Sequence, residues 1–262
     1  MPAGRPKDKK LSGIFGIALG DSVKHRGDDL EAKRATLLAH WSKHPWNWLL
    51  GEDLVEREVS IGIRSRKLIW TTDERDDEHP IKPFPRREYL RRFVHILHTE
   101  NEVLLDKARQ MMATTLTLLY IDWTCRFRPA RRWIISKNKE QEAYDLLRDK
   151  IRAVHYRLPE WVQQRLPVLP EPQGKVIYDG TGSYILGAPE NVADSEARGG
   201  TATGFLIDEA ARQRSFSSIW SAAAPMSQKL FAITTAKLGG SGAIAFLKML
   251  ERDQREEETA TS

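Results

Sequence analysis

Apolar positions along this chain recur with two periods, and the switch between them lays out an alternation of helices and strands. Leu30, Leu37 and Leu38 fall on one side of a helix predicted from Asp28 to Trp41. A second helix is predicted from about Arg86 to His98. After the short apolar run Val103-Leu104-Leu105, a third runs from Thr114 to Phe127. Arg132 to Ser136 reads as a strand. Ala143, Leu146, Leu147, Ile151 and Val154 then keep helical spacing in an amphipathic helix from Lys139 to Tyr156. The proline-rich segment Leu158 to Pro172 leaves the helical layer. Residues 175–188 set Asp-Gly and Thr-Gly between apolar runs, which predicts a hairpin. Two more apolar strands follow, one ending at Asp208 and one at Thr235. Strand, helix, strand, helix implies a parallel sheet with crossovers. No internal repeat interrupts the pattern, and the longest apolar stretch, Met111 to Ile121, is too short to span a bilayer.

The flanks read differently. Residues 1–12 are basic and rich in helix breakers, as in a loose tail, and Gly4-Arg5-Pro6 is too short to be a minor-groove arm. The tryptophan-dense stretch from His44 to Leu50 suggests a packed lid. The acidic connection 71–80 places a soft boundary, giving an N-terminal tail and helical extension over 1–80, a main domain over 81–250 and a polar tail over 251–262.

Composition narrows this picture only slightly. The 262 residues, 40% hydrophobic and 29% charged, suffice for one sizeable core. The one cysteine, Cys125, lies in an apolar helical run and excludes an internal disulfide framework. A net charge of +5 favours a polyanionic partner weakly. Arg86, Arg87, Arg91 and Arg92 form one basic cluster, and Arg126, Arg128, Arg131 and Arg132 another. Each is either a DNA or phosphate surface or a solvated face. His95 and His98 share a helix face, but no further ligand completes a zinc site.

The chemistry concentrates after Val103. A strand, a tight turn and a helix start form the shape that holds a phosphate, because backbone N–H groups converge there and the helix dipole favours negative charge. Against the pattern G-x-x-x-x-G-K-[ST], both glycines are missing and Ala113 stands where the lysine belongs. Lys107 sits at the other end of the loop, from which a flexible lysine can reach the same oxygens. Thr114 keeps the place of the hydroxyl that binds Mg²⁺, Arg109 adds a cation, and Met112 must take up a backbone conformation that glycine tolerates better. Downstream, the strand Gly204 to Ile207 ends in Asp208 and Glu209. Ligands of open α/β sheets bind at the carboxyl ends of strands, so these acids would face the loop. Asp208 would hold Mg²⁺ through water and Glu209 would orient the attacking water.

Residues 107–115, Lys-Ala-Arg-Gln-Met-Met-Ala-Thr-Thr, resemble the deviant Walker A segment of the large terminase subunits of tailed bacteriophages, in which the lysine often opens the loop. The resemblance runs from roughly Pro45 to Ala236. It implies an α/β P-loop NTPase fold of the additional-strand type, with a mainly parallel central sheet flanked by helices and an N-terminal helical extension. It implies an ATPase motor that drives viral DNA into a preformed capsid, with ATP as substrate and Mg²⁺ as cofactor. Nucleotide contacts would come from Lys107, Ala108, Arg109, Gln110, Met111, Met112, Ala113, Thr114 and Thr115, and Phe84 would lie against adenine. Arg198, before Gly199 in a glycine-rich loop, matches an arginine implicated as a finger reaching a neighbouring subunit's nucleotide, while Arg109 competes for that role within its own subunit. Thr234 and Thr235 match the coupling motif. The implied partners are double-stranded DNA, the portal protein and the small terminase subunit. Self-association into a ring on the portal is implied as well, although an isolated motor domain can be monomeric. The implied location is the host cytoplasm. Only a short segment follows Thr235, so the RNase H-like nuclease domain of the family is not expected here, nor endonuclease activity. The competing readings are another nucleic-acid-stimulated P-loop translocase and a non-hydrolysing DNA-binding or assembly module.

Overall fold

The computed structural model describes residues 29–53, 66–73, 75–109, 111–170, 174–235 and 239–260. The basic tail over 1–12 and Gln110 lie outside these residues. Internal contacts separate two units that meet between His44 and Pro45. In the first, helix α1 covers residues 29–43, with Leu30, Leu37 and Leu38 half-buried on one side as their spacing requires. Lys33 pairs with Asp29 one turn away at 2.8 Å.

The second unit opens on a short helix, α2 (Pro45–Leu49), and two small ribbons. Strands β1 (Glu52–Asp53) and β2 (Arg66–Lys67) pair antiparallel, as do β3 (Trp70–Thr72) and β4 (Ile81–Pro83). The acidic stretch after Thr72 is the loop of the second ribbon, where Lys82 holds Asp73 and Asp76 at 3.1 and 2.8 Å. Trp48 is fully buried with its edge on Phe127 at 5.4 Å, so it is a packing residue.

Helix α3 (Glu88–Thr99) leads into β5 (Glu102–Lys107), and α4 (Ala113–Phe127) into β6 (Arg132–Lys137). Helix α5 (Glu140–Leu147) continues through a π-helical turn, Arg148–Arg152, into α6 (Ala153–Arg157). After α7 (Glu160–Arg165), strands β7 (Lys175–Tyr178) and β8 (Ser183–Pro189) form the expected hairpin, joined through α8 (Glu190–Gly199) to β9 (Ala202–Asp208). Helix α9 (Phe216–Ala223), β10 (Ser227–Thr235) and α10 (Ser241–Ala260) complete the chain.

The central sheet has the order β5-β10-β9-β6-β8-β7, parallel throughout except for the edge strand β7. Alternate residues of its strands bury opposite faces, because strand side chains repeat every two residues. Trp133 and Phe231 face α4, where Tyr120 closes an aromatic cluster with centroids 5.7 to 6.5 Å apart. Ile134, Phe205, Ile207, Leu230 and Ala232 face the other way, against Phe216, Ile219 and Trp220 of α9 and Phe246 of α10. Each of these large side chains contributes about 1.5–3 kcal/mol by leaving water.

Helix α4 is buried almost all round, including two charged residues one turn apart. Arg126 Nε donates to Asp122 Oδ2 at 2.7 Å, Tyr178 Oη donates to Asp122 Oδ1 at 2.7 Å, and Arg126 Nη1 lies 3.2 Å from His155 Nδ1. Arg126 is therefore an internal counter-ion, and Arg132 of the same basic cluster pairs with Glu196. Arg126 is thus buried and Arg132 paired, so the cluster as a whole is neither a free anion-binding surface nor a solvated face.

Burial and the Arg126 charge lower the pKa of His155 to about 4 from an ordinary 6.5. Between those values the unfolded chain binds a proton that the folded chain refuses. This contribution to stability is therefore intact above about pH 6.5 and is lost as the pH falls toward 4. Urea unfolding at pH 6.5 and pH 5 should show the native protein losing about 2 kcal/mol more than a His155→Gln variant. Parallel losses in the two proteins would show that His155 accepts its proton in the fold.

Candidate functional site

The sheet register assembles a cluster at the carboxyl ends of its strands. Thr235 of β10 lies level with Lys107 of β5, and Asp208 of β9 lies level with Ile233 of β10. On the far side Ser136 of β6 is level with Ile207, so Lys137 comes next to Asp208. Strand β10 thus lies between the strand that enters the loop and the strand that ends in the acids, which is the additional-strand arrangement.

The loop closes through Met112, which adopts the left-handed conformation at φ 56° and ψ 11° and caps α4. That conformation disfavours a side chain with a Cβ, so it is the place where glycine would fit more easily. The N–H groups of the first turn of α4 have no intrahelical acceptors, as at any helix start. Thr114 Oγ1 donates to Asp208 Oδ1 at 2.8 Å, and Lys107 Nζ donates to Thr235 Oγ1 at 3.2 Å. Four of the residues singled out in the sequence are therefore brought together in two bonded pairs. Ala108, Arg109 and Met111 are exposed along the loop, Ala113 is buried under it, and Thr115 is half-buried.

Glu209 follows Asp208 in a left-handed conformation, at φ 57° and ψ 42°, and pairs with Arg212 at 2.7 Å. Thr234 is buried, and its Oγ1 accepts the Ala211 N–H at 3.2 Å. It ties β10 to the turn that carries Glu209, while its neighbour Thr235 faces Lys107. Gln213 fastens the same turn from below, donating to Asp208 O at 2.8 Å and Ser136 O at 3.0 Å. Close packing of α10 also holds the turn, since a Cβ on Gly242 would lie 2.2 Å from the Gln213 carbonyl oxygen.

One expectation is corrected in its local structure. Arg198 belongs to the last turn of α8 and not to a glycine-rich loop. It bonds Asp194 at 3.2 Å and Ser218 Oγ at 2.7 Å, and the Ser218 hydroxyl, more than Arg198 itself, holds the Asp194 carboxyl below the usual carboxylate range. Phe84 is only 5% exposed and turns its ring edge to Trp46 at 6.3 Å, because it sits between two prolines on an extended segment that buries one side. A cavity of about 640 Å³ beside the loop is bordered by Thr71, Pro83, Pro85, Arg87, Met112 and Thr115, and a second of about 490 Å³, sharing Lys82, Pro83 and Pro85 with it, is lined by Phe84.

Lys137, Arg212 and Gln213 were not found from the sequence. Lys137 had a signal, since it ends an apolar strand at the same edge as the two acids, but its pairing depends on strand order. Asp208 and Thr114 offer hard oxygen donors that suit Mg²⁺. Among the described residues no group of three or more His, Cys, Asp or Glu could hold a metal ion, so water or phosphate oxygens would complete the shell. No helix among the described residues is long and apolar enough to cross a membrane.

No family model and no curated protein sequence matches the chain. Among solved structures, the large terminase of bacteriophage HK97 superposes with a TM-score of 0.51 at 12% identity, over 68% of this chain and 38% of that one. The large terminase ATPase domain of Thermus phage P74-26 aligns at 16% identity and a TM-score of 0.45, over 59% of this chain and 66% of that domain. The large terminase of another thermophilic bacteriophage, in complex with ADP, aligns at 14% identity and a TM-score of 0.42, over 57% of this chain and 39% of that one. The chain shares its fold with part of the HK97 large terminase, and the match spans less than half of that protein's length.

Proposed function

We propose that this chain is the ATPase motor domain of a phage large terminase, hydrolysing ATP to move double-stranded viral DNA into a preformed capsid. The observation that carries the reading is the 2.8 Å bond from Thr114 to Asp208. It joins the hydroxyl that opens a helix after a left-handed turn to an acid 94 residues away, across an inserted strand. A phosphate-binding turn and a metal-binding acid need that juxtaposition, and an ordinary strand-to-helix turn does not.

In this reading the first-turn N–H groups of α4, Lys107 and Arg109 hold the phosphates. Thr114 and Asp208 would hold Mg²⁺, which when bound would neutralise charge on the phosphate oxygens. Glu209 orients a water and takes its proton. Thr235 touches Lys107 and its neighbour Thr234 touches the Glu209 turn, so β10 links the phosphate end of the site to the base. Arg198 acts on a neighbouring subunit's nucleotide only after releasing Asp194 and Ser218, whereas Arg109 is exposed within its own loop. The portal protein, the small terminase subunit and a ring on the portal, in the host cytoplasm, follow as partners and setting.

Mg²⁺-dependent ATP hydrolysis over a protein concentration series tests this. Turnover is expected in the native chain, with a loss of about 10²-fold or more in Lys107→Ala, since a preorganised charge on the transferring group is removed. Activity rising more than linearly with concentration would support Arg198 acting in trans. Absence of turnover and of nucleotide binding, with DNA binding that falls steeply with salt, would replace the motor by a DNA-binding module.

A further inference from the structure

The site contains a short ion pair that the hydrolysis reading does not use. Lys137 Nζ donates to Asp208 Oδ2 at 2.8 Å, and Thr114 occupies Oδ1, so both carboxylate oxygens are engaged. We propose that Lys137 is a built-in stand-in for the divalent cation, neutralising Asp208 while the site is empty and yielding the carboxylate when a metal–nucleotide enters. The proposal rests on the reading of this site as one for Mg²⁺–ATP.

Three observations carry it. Asp208 is only 3% exposed, and a carboxylate so buried is strongly disfavoured without a cation. Among the described residues, Lys107 of β5 bonds Thr235 and Arg212 on the following turn pairs with Glu209, so neither of these cations is directed at Asp208. Lys137 therefore supplies the compensating charge. Its place is fixed by the β6–β9 register and not by a flexible loop, so the pair is built into the sheet.

Lys137 is also suited to leave. Its side chain is 14% exposed at the open end of the strands, against 4% for Asp208, and an ammonium on a four-carbon stem can swing to solvent without moving the backbone. A divalent cation held through Asp208 and an ammonium at hydrogen-bonding distance from the same carboxylate repel each other. Entry of the metal thus has to displace the lysine. The exchange keeps Asp208 paired at every stage, and it makes the protein demand more Mg²⁺ before nucleotide is held than the carboxylate by itself would require.

The test is binding of the fluorescent nucleotide mant-ADP across a Mg²⁺ titration, with thermal unfolding measured in EDTA and in Mg²⁺ plus ADP. Lys137→Met is expected to lower the Mg²⁺ midpoint about tenfold. It should also melt below the native protein in EDTA, and the gap should close with Mg²⁺ and ADP. Lys137→Arg, which keeps the charge, should retain the native midpoint, and Lys137→Gln replaces Lys137→Met if that variant does not fold. An unchanged midpoint in the uncharged variant would overturn the exchange, because the lysine would then stay on Asp208 with metal present. A raised midpoint would overturn it by assigning Lys137 to phosphate. If the native protein bound no mant-ADP at any Mg²⁺ concentration, the nucleotide-site reading itself would fail, and the exchange with it.

Discussion

Glu209→Gln is expected to lower ATP turnover by about 10²- to 10⁴-fold while leaving nucleotide binding intact. The side chain follows the acid that ends β9 and is half-buried beside the cluster, and in the proposed reaction its carboxylate would take a proton from an attacking water. The amide is nearly isosteric but is a poor base, which confines the loss to the chemical step. Single-turnover hydrolysis and mant-ADP binding separate the two effects. A variant that loses binding as well would show that Glu209 positions the nucleotide or the turn. The pairing of Glu209 with Arg212 sharpens the expectation, since a base at this position would have to be freed from that arginine before it acts.

The second large effect concerns stability and lies at the other end of α4. Asp122→Asn should cost about 3–5 kcal/mol, because it leaves the guanidinium of Arg126 buried without its counter-charge. Both side chains are at most 1% exposed, so solvent cannot compensate. Asp122 also accepts the Tyr178 hydroxyl, and burial together with the Asp122 charge pushes that phenol well above its ordinary pKa. Arg126 is further packed over the rings of Trp48 and Tyr178, at 5.6 and 5.3 Å. The double variant Asp122→Leu with Arg126→Met should recover most of the loss, since an apolar pair of similar volume removes both desolvation costs. Denaturant unfolding of the native protein and these two variants distinguishes a lost ion pair from a lost shape. If the double variant were as unstable as Asp122→Asn, packing around the helix would be the cause.

The sequence by itself determined the elements and the order of the chemistry. Apolar periodicity placed β5, α4, β6, the β7–β8 hairpin and β9 within a few residues, because a half-buried strand or helix must repeat its apolar positions at its own geometric period. It also identified Met112 as the strained position of the loop, since a turn with that spacing needs a left-handed residue wherever glycine is missing. Tertiary structure decided what depends on strand order. Insertion of β10 between β5 and β9 puts Thr235 against Lys107, and the neighbouring β6 puts Lys137 on Asp208. Neither pairing has a local signature, because the partners are separated by 128 and 71 residues and meet only through sheet register. The same holds for the arginines. Arg126 and Arg198 read as free cations in a string of letters, and only the positions of Asp122, Asp194 and Ser218 in space show which charges are already matched. The packing of Phe84 depends on tertiary structure in the same way: an aromatic residue between prolines signals an extended segment, but which side of that segment is buried is settled by what packs on it.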